Sequence, residues 1–154
     1  NWTPAGHKLA VYNNEPVVTW LEGSGYIYVK RHGQLCLRTG CSPFWWELGK
    51  GSGYAHALSL GINSSGEPII AYTACESGSD LCLQNEIRVV RVISKTNWTP
   101  IGANPLNTLA NDVRKPVLSV TGKSYTVAWL EFGSDASFSD IKLKQYTTFV
   151  LQPF

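Results

Sequence analysis

Short apolar stretches, most of them alternating with polar residues, dominate this chain. Turn-forming residues separate them, as in Asn13-Asn14 and Thr121-Gly-Lys123. No segment keeps a helical period beyond about two turns, so the pattern predicts an all-β fold. The predicted strands are 9–13, 16–22, 26–32, 44–49, 57–62, 67–74, 86–93, 97–102, 117–121, 124–131 and 140–147, with 148–152 as a twelfth candidate.

Two kinds of strand stand out. One kind is apolar on both faces, which suits a strand lying between two neighbouring sheets; its examples are 17–21, 69–72 and 126–130. The other kind carries basic side chains and is expected nearer a solvated sheet edge. Its basic pairs are Lys30/Arg31, Arg88/Arg91 and Lys142/Lys144.

The same series of segments returns about every fifty residues, which indicates one structural unit stacked several times. A Trp-x-x-x-Gly phrase marks each return, at Trp2–Gly6, Trp45–Gly49 and Trp98–Gly102. A Leu-x-apolar stretch, the doubly apolar strand and the basic strand then follow in that order. Four short strands in each unit, with apolar inner strands and charged outer ones, describe a propeller blade.

These motifs resemble the blade repeats of β-propellers of the broad sialidase-like and lectin-like kind, and the resemblance covers nearly the whole chain. It implies a β-propeller-type array of about three four-stranded antiparallel blades in a single domain, 1–154. The units are roughly 7–49, 50–102 and 103–154. The sialidase Asp-box, Ser-x-Asp-x-Gly-x-Thr-Trp, is missing, since Gly78-Ser-Asp80 and Gly133-Ser-Asp135 do not continue into it. Sialidase activity is therefore not expected.

Three blades are too few for a ring, because propellers close with about four to eight. An open array would expose an apolar blade face and an unpaired sheet edge, both of which favour association. A homodimer with a six-bladed ring, further blades in a longer parent chain, or an open polymer would each cover them. We therefore expect a homo-oligomer or polymer.

The opening Asn1-Trp-Thr-Pro-Ala-Gly6 nearly copies Asn97-Trp-Thr-Pro-Ile-Gly102. This similarity suggests that residues 1–6 form a blade's fourth strand in another copy, or close a ring, by strand addition. The assembly-strand residues are Trp2, Thr3, Pro4 and Gly6. The alternative is that Trp2 packs within its own chain.

Composition and charge exclude several classes of partner. Charged residues are 16% of the 154, and the formal net charge is +2. That balance gives no electrostatic footprint for nucleic acid. No apolar run approaches the roughly 18 residues of a membrane span. The chain has no Met and begins at Asn1, which we interpret as a trimmed product from which a secretion signal was removed, or as part of a longer chain.

The four cysteines form two close pairs, Cys36 with Cys41 and Cys75 with Cys82. Each pair flanks turn-forming residues, so a short disulfide in each hairpin loop is favoured over a four-Cys zinc site, whose Cys-x2-Cys spacing is absent. Disulfides persist in oxidising compartments, which predicts an extracellular protein. Asn-x-Ser/Thr triplets make Asn1, Asn63 and Asn97 candidates for glycosylation.

Catalytic patterns are weak. His7, His32 and His56 lack metal-ligand spacing, and no nucleophile elbow or phosphate loop occurs. Glu22 and Glu131 stand at equivalent repeat positions, so a glycosidase carboxylate pair is conceivable. Their repetition favours a structural role instead, such as accepting hydrogen bonds at a strand end. No catalytic residue, cofactor or resident metal is expected.

Ligand contacts have few candidates. Trp46, Tyr54 and Phe138 fall outside the repeat and are free to stack on a sugar ring. Trp20, Tyr72 and Trp129 recur in register and are expected to pack in the core. Asp135 and Asp140 fit a calcium site or a hydrated hairpin equally well.

The sequence therefore predicts a secreted, non-catalytic structural protein that assembles with copies of itself as a surface or filament subunit. A carbohydrate-binding, lectin-like propeller is the alternative, with glycans as its partners. A glycoside hydrolase fragment is a distant third reading.

Overall fold

The computed structural model describes residues 5–23, 25–37, 40–51, 55–75, 85–107, 112–132 and 139–147. Within these residues the chain forms eleven β-strands and no helix, which confirms the predicted all-β class. The strands are β1 (Ala5–Tyr12), β2 (Glu15–Glu22), β3 (Tyr26–Leu37), β4 (Gly40–Lys50), β5 (Ala55–Ile62), β6 (Pro68–Cys75), β7 (Asn85–Ser94), β8 (Asn97–Pro100), β9 (Asp112–Thr121), β10 (Ser124–Phe132) and β11 (Ser139–Thr147).

The strands form three antiparallel sheets, in which hydrogen-bonded neighbours are also neighbours along the chain. Sheet 1 contains β1 to β4, sheet 2 contains β5 to β8, and sheet 3 contains β9 to β11. Tight turns make this meander. Asn13 and Asn14 both have positive φ, 50° and 62°, as a two-residue type I′ hairpin turn requires.

The eleven main predicted strands are all present, and the differences lie at their ends. The β3–β4 hairpin runs past the predicted ends to Leu37 and Gly40, where the Cys36–Cys41 disulfide links paired residues. β9 begins at Asp112 instead of residue 117, and β8 ends at Pro100 instead of residue 102. The candidate strand 148–152 lies outside the described residues.

Beyond the short strand β8, residues 101–107 cover the edge of β7. Asn104 Oδ1 accepts the Val89 N–H at 3.0 Å, and its Nδ2 donates to the Val89 carbonyl at 3.1 Å. Asn107 Oδ1 accepts the Ile87 N–H at 2.8 Å. These side-chain amides replace a ladder strand, because an amide offers the same donor and acceptor as a peptide group.

The three sheets pack face to face in chain order, and β1, β5 and β9 lie side by side. One hydrophobic cluster joins sheets 1 and 2, and a second joins sheets 2 and 3. In each sheet we call the face on the side of the preceding sheet the front face, and the face on the side of the following sheet the back face. The front of sheet 1 and the back of sheet 3 are the two end faces.

The second strand of each sheet shows how this stacking buries side chains. β6 is buried along its whole length, with Ile70 and Tyr72 packed toward sheet 1 and Ile69 and Ala71 toward sheet 3. In β2 and β10 the buried residues alternate with more accessible ones. The predicted position between two sheets is therefore confirmed for β6. It is wrong for β2 and β10 in the described structure, where only one face is covered.

Two of the three glycines of the Trp-x-x-x-Gly phrase, Gly49 and Gly102, lie against an aromatic ring of the neighbouring sheet. A Cβ on Gly49 would lie 2.6 Å from Trp98 Nε1, and a Cβ on Gly102 would lie 2.3 Å from Tyr146 Cε1. In both cases the aromatic ring belongs to the following sheet.

The Tyr146 ring is partly buried by this packing. Desolvation by burial raises the pKa of its phenol above the ordinary value.

Replacing Gly102 with alanine tests this close approach, and Gly122 is a matched control. Both glycines have left-handed φ, +69° and +60°, but Gly122 has no atom within 4 Å of an added Cβ. Gly122→Ala should therefore lose only the backbone term of about 1–2 kcal/mol. Gly102→Ala should lose a further 1–3 kcal/mol or so from overpacking against Tyr146. Urea unfolding measures both free energies of unfolding, and equal losses would contradict the proposed contact.

Candidate functional site

The front face of sheet 1 exposes large apolar side chains. Leu9 is 66% exposed and Val11 is 61% exposed, both on the innermost strand β1. Trp20 and Tyr28 stack beside them with ring centroids 5.5 Å apart and planes 13° from parallel. Single exposed apolar residues are ordinary, but a contiguous group of this size marks an interaction surface.

The back face of sheet 3 is also apolar. Val117, Ile141 and Leu143 are exposed by 62%, 77% and 63%, on β9 and β11. Strand pairing places Ala128 between Val117 and Leu143, and Leu130 opposite Ile141. Both end faces thus leave rows of apolar side chains in water in the described structure.

The repeat shows that this exposure comes from position and not from residue type. Leu9 and Leu118 are equivalent front-face residues, since each pairs with the residue two positions before the tryptophan of the next strand, yet Leu118 is only 9% exposed. The back face behaves in the same way, because Ile27 and Ile87 are fully buried while the equivalent Ile141 is exposed. Each end face therefore exposes a residue whose equivalent in another repeat is buried by a neighbouring sheet.

Charge distinguishes the end faces. On the front face of sheet 1, Lys30 Nζ lies 5.8 Å from the Trp20 ring centroid, and Lys50 Nζ lies 3.7 Å from that of Tyr26. Both distances suit cation–π contacts. On the back face of sheet 3, Arg114 pairs with Asp112 at 2.7 Å, and its guanidinium lies 5.0 Å from the Phe132 ring centroid.

Glu22 and Glu131 have the structural role that their repetition suggested. Glu22 Oε2 accepts the indole N–H of Trp20 at 3.2 Å, and Glu131 Oε2 accepts that of Trp129 at 3.1 Å. The two carboxylates belong to sheets 1 and 3, with sheet 2 packed between those sheets. A glycosidase pair instead needs two carboxyl groups within about 5–10 Å across one cleft.

The expectation that Trp20, Tyr72 and Trp129 all pack in the core is only partly met. Tyr72 is 5% exposed and Trp129 is 4% exposed, each within a hydrophobic cluster. Trp20 is more accessible, because the front face on which it lies has no preceding sheet in the described structure. The prediction is wrong for Trp20 for this reason.

The first cysteine pair forms the predicted disulfide, Cys36–Cys41. Cys75 is also disulfide-bonded, while Cys82, its predicted partner, lies outside the described residues. Among the described residues, no group of three or more His, Cys, Asp or Glu side chains is placed to hold a metal. Asp140 is exposed and pairs with Lys142 at 3.2 Å, while Asp135 lies outside the described residues.

Asn63 sits in an environment that disfavours glycosylation. Its side chain is buried, and Nδ2 donates to Glu67 Oε2 at 2.7 Å. Its Oδ1 also accepts the N–H groups of Ser65 and Glu67, which shapes the β5–β6 turn. A glycan on Nδ2 would disrupt this arrangement. Asn97 is exposed on β8 and stays a candidate, and Asn1 lies outside the described residues.

Of the three candidate ligand-binding aromatics, only Trp46 lies among the described residues. Trp46 is partly covered: its ring packs over Gly33 and meets Phe44 edge-on at 5.5 Å. Tyr54 and Phe138 lie outside the described residues. Phe44 and Trp45, which precede Trp46, are both exposed and were not predicted as ligand contacts, although the run of three consecutive aromatic residues at 44–46 was an available signal.

The proposed assembly strand is described only in part. Ala5 and Gly6 belong to β1 of their own sheet, where Ala5 pairs with Leu21. Gly6 is thus continuous with β1 in its own chain. Trp2, Thr3 and Pro4 lie outside the described residues, and for them strand donation stays a prediction.

A groove of about 550 Å³ lies between sheets 1 and 2. Arg88 and Lys95 line it together with Tyr72 and Trp98. Trp98 Nε1 is buried and has no hydrogen-bond partner within the described part of the chain. Cations and aromatic rings in one groove suit an anionic or sugar ligand.

No described helix is long and apolar enough to cross a membrane. In comparisons with known proteins, no family model, curated protein or solved structure matched this chain.

Truncating one front-face leucine in each sheet measures what each front face contributes to stability. Leu58→Ala and Leu118→Ala should each lower the free energy of unfolding by about 2–5 kcal/mol, since both residues are buried. Leu9→Ala should change it by no more than about 0.5 kcal/mol, since Leu9 is exposed. Urea unfolding in dilute solution gives the three values. A loss at Leu9 as large as that at Leu58 would show that the front face of sheet 1 is already covered.

Proposed function

We propose that this chain is a non-catalytic, extracellular structural protein built of three propeller blades, which works by assembling with copies of itself as a surface or filament subunit. The observation that carries the proposal is the pair of apolar end faces. Each exposes residues that the repeat buries everywhere else.

The sheet arrangement supports the propeller part of this proposal. Consecutive meanders stack face to face with their first strands adjacent, which is the local geometry of neighbouring blades. Three sheets stacked in this way have two terminal faces, and burying apolar area between copies would be favourable by about 25 cal/mol for each Å².

Two further features support a durable extracellular part. The Cys36–Cys41 disulfide fits an oxidising compartment. The carboxylates that most suggested hydrolytic chemistry are engaged by indole N–H groups, so they support the fold.

A second candidate function is glycan binding, favoured by the groove between sheets 1 and 2. Sugar rings stack on aromatic faces, and Trp98 lines this groove beside the cations of Arg88 and Lys95. An acidic glycan would satisfy both features.

Self-association tests the first proposal directly. Sedimentation velocity should show species heavier than the 17.0 kDa chain, with particles or filaments by electron microscopy. Leu143→Glu should reduce association, because it places a charge on the back face of sheet 3. Ile93→Glu is the control. Ile93 is an exposed apolar residue near the end of β7 in sheet 2, and it lies on neither end face. A wild-type chain that stays monomeric at every concentration would overturn the proposal.

An array of sulfated and carboxylated glycans tests the second candidate. Lys95→Gln should weaken binding of an acidic glycan several-fold by removing one groove cation, whose side chain is largely exposed and whose loss should leave the fold intact. Lys123→Gln is the control, because Lys123 is exposed and does not line the groove. Equal binding by both variants would exclude this groove as the site.

A further inference from the structure

We infer that the copies associate head to tail, with the back face of sheet 3 of one copy packed on the front face of sheet 1 of the next. This inference rests on the proposed self-assembly and specifies its interface. The partner is a second copy of this chain, and the contact repeats the packing already present twice inside the molecule.

The first step is the polarity of the internal contacts. Sheet 1 presents its back face, with Val17, Ile27 and Val29, to the front face of sheet 2, with Leu58 and Tyr72. Both described contacts between sheets are of this back-to-front kind.

The contact between sheets 2 and 3 repeats the same positions. Ile69, Ile87 and Val89 of the back face of sheet 2 join one cluster with Leu118 and Trp129 of the front face of sheet 3. Each is the repeat equivalent of a residue in the first contact.

The second step is that one of the two uncovered end faces is a front face and the other is a back face. The front face of sheet 1 carries Leu9 and Trp20, the equivalents of Leu118 and Trp129. The back face of sheet 3 carries Ile141 and Leu143, the equivalents of Ile87 and Val89. The uncovered front face therefore has the residues that elsewhere pack on a back face, and the uncovered back face has the residues that elsewhere pack on a front face.

Side-chain size supports this pairing. In the contact between sheets 2 and 3, the small Ala71 of the back face shares a cluster with the large Trp129 of the front face. Ala128 is the equivalent of Ala71, and Trp20 is the equivalent of Trp129. A small residue facing a large one preserves close packing, whereas two front faces would set Trp20 against its own copy.

Lys30, on the front face of sheet 1, has an equivalent lysine that already lies at a contact between sheets inside the molecule. Lys144, on the front face of sheet 3, donates from Nζ to the carbonyl of Leu106 in sheet 2's edge segment. Lys30 occupies the equivalent position on sheet 1. Lys30 is thus compatible with burial at a head-to-tail contact.

Two blocked variants test the pairing with full-length chains. The front-blocked variant carries Leu9→Glu and Val11→Glu, and the back-blocked variant carries Ile141→Glu and Leu143→Glu. All four residues are well exposed, so the fold of each chain should be unaffected. Each variant alone should associate more than about tenfold more weakly than wild type, because a charge would be buried without a partner.

Mixing the variants gives the decisive result. The intact back face of the front-blocked chain should meet the intact front face of the back-blocked chain, and the mixture should sediment as a one-to-one complex. If wild type associates but one blocked variant still dimerises alone, the interface joins two like faces and the inference is wrong. If both variants associate as wild type does, the end faces are not the interface. A monomeric wild type would instead overturn the proposed assembly itself.

Crosslinking checks the register. Leu9→Cys and Leu143→Cys chains should form a disulfide-linked heterodimer when mixed, since the equivalents of these residues, Leu118 and Val89, share one cluster. In the control mixture, Ile93→Cys replaces Leu143→Cys. Its heterodimer should be no more abundant than random collision of the two chains would give. Equal crosslinking in both mixtures would contradict the register.

Discussion

Face-to-face packing of sheets is the constraint on which the rest of this structure depends. A sheet that is apolar on both sides needs a neighbour on both sides, because its backbone hydrogen bonds are made within the sheet and its side chains are buried only by another sheet. Sheet 2 meets this requirement, and β6 is buried throughout. Sheets 1 and 3 meet it on one side each, so the same repeat produces a core in the middle and an apolar surface at both ends.

Much of the fold could be predicted from sequence because its signals are local. Alternation and turn residues located the eleven strands, and the type I′ turn at Asn13-Asn14 depends only on those two residues. The ends were less predictable where tertiary contacts decide them. β8 stops at Pro100 because Asn104 takes over the edge of β7, and no periodic pattern encodes that exchange.

The existence of uncovered apolar surface could be predicted from the sequence, but the residues that form it could not. The repeat indicated that something must cover an incomplete array, yet Trp20 was expected in the core with Tyr72 and Trp129. Residue type is the same at equivalent positions of two repeats, so composition cannot distinguish a buried Leu118 from an exposed Leu9. Only the stacking order of the sheets, given by contacts far apart in sequence, separates them.

The amide side chains of Asn104 and Asn107 bear on how such a molecule avoids amyloid-like growth. An open strand edge is a template for sideways pairing with any extended chain. Along β7 that template is already occupied, because these amides hold the N–H groups of Val89 and Ile87. Sideways growth of sheet 2 along this edge is thereby disfavoured, so the middle sheet contributes its two faces to packing and not its outer edge.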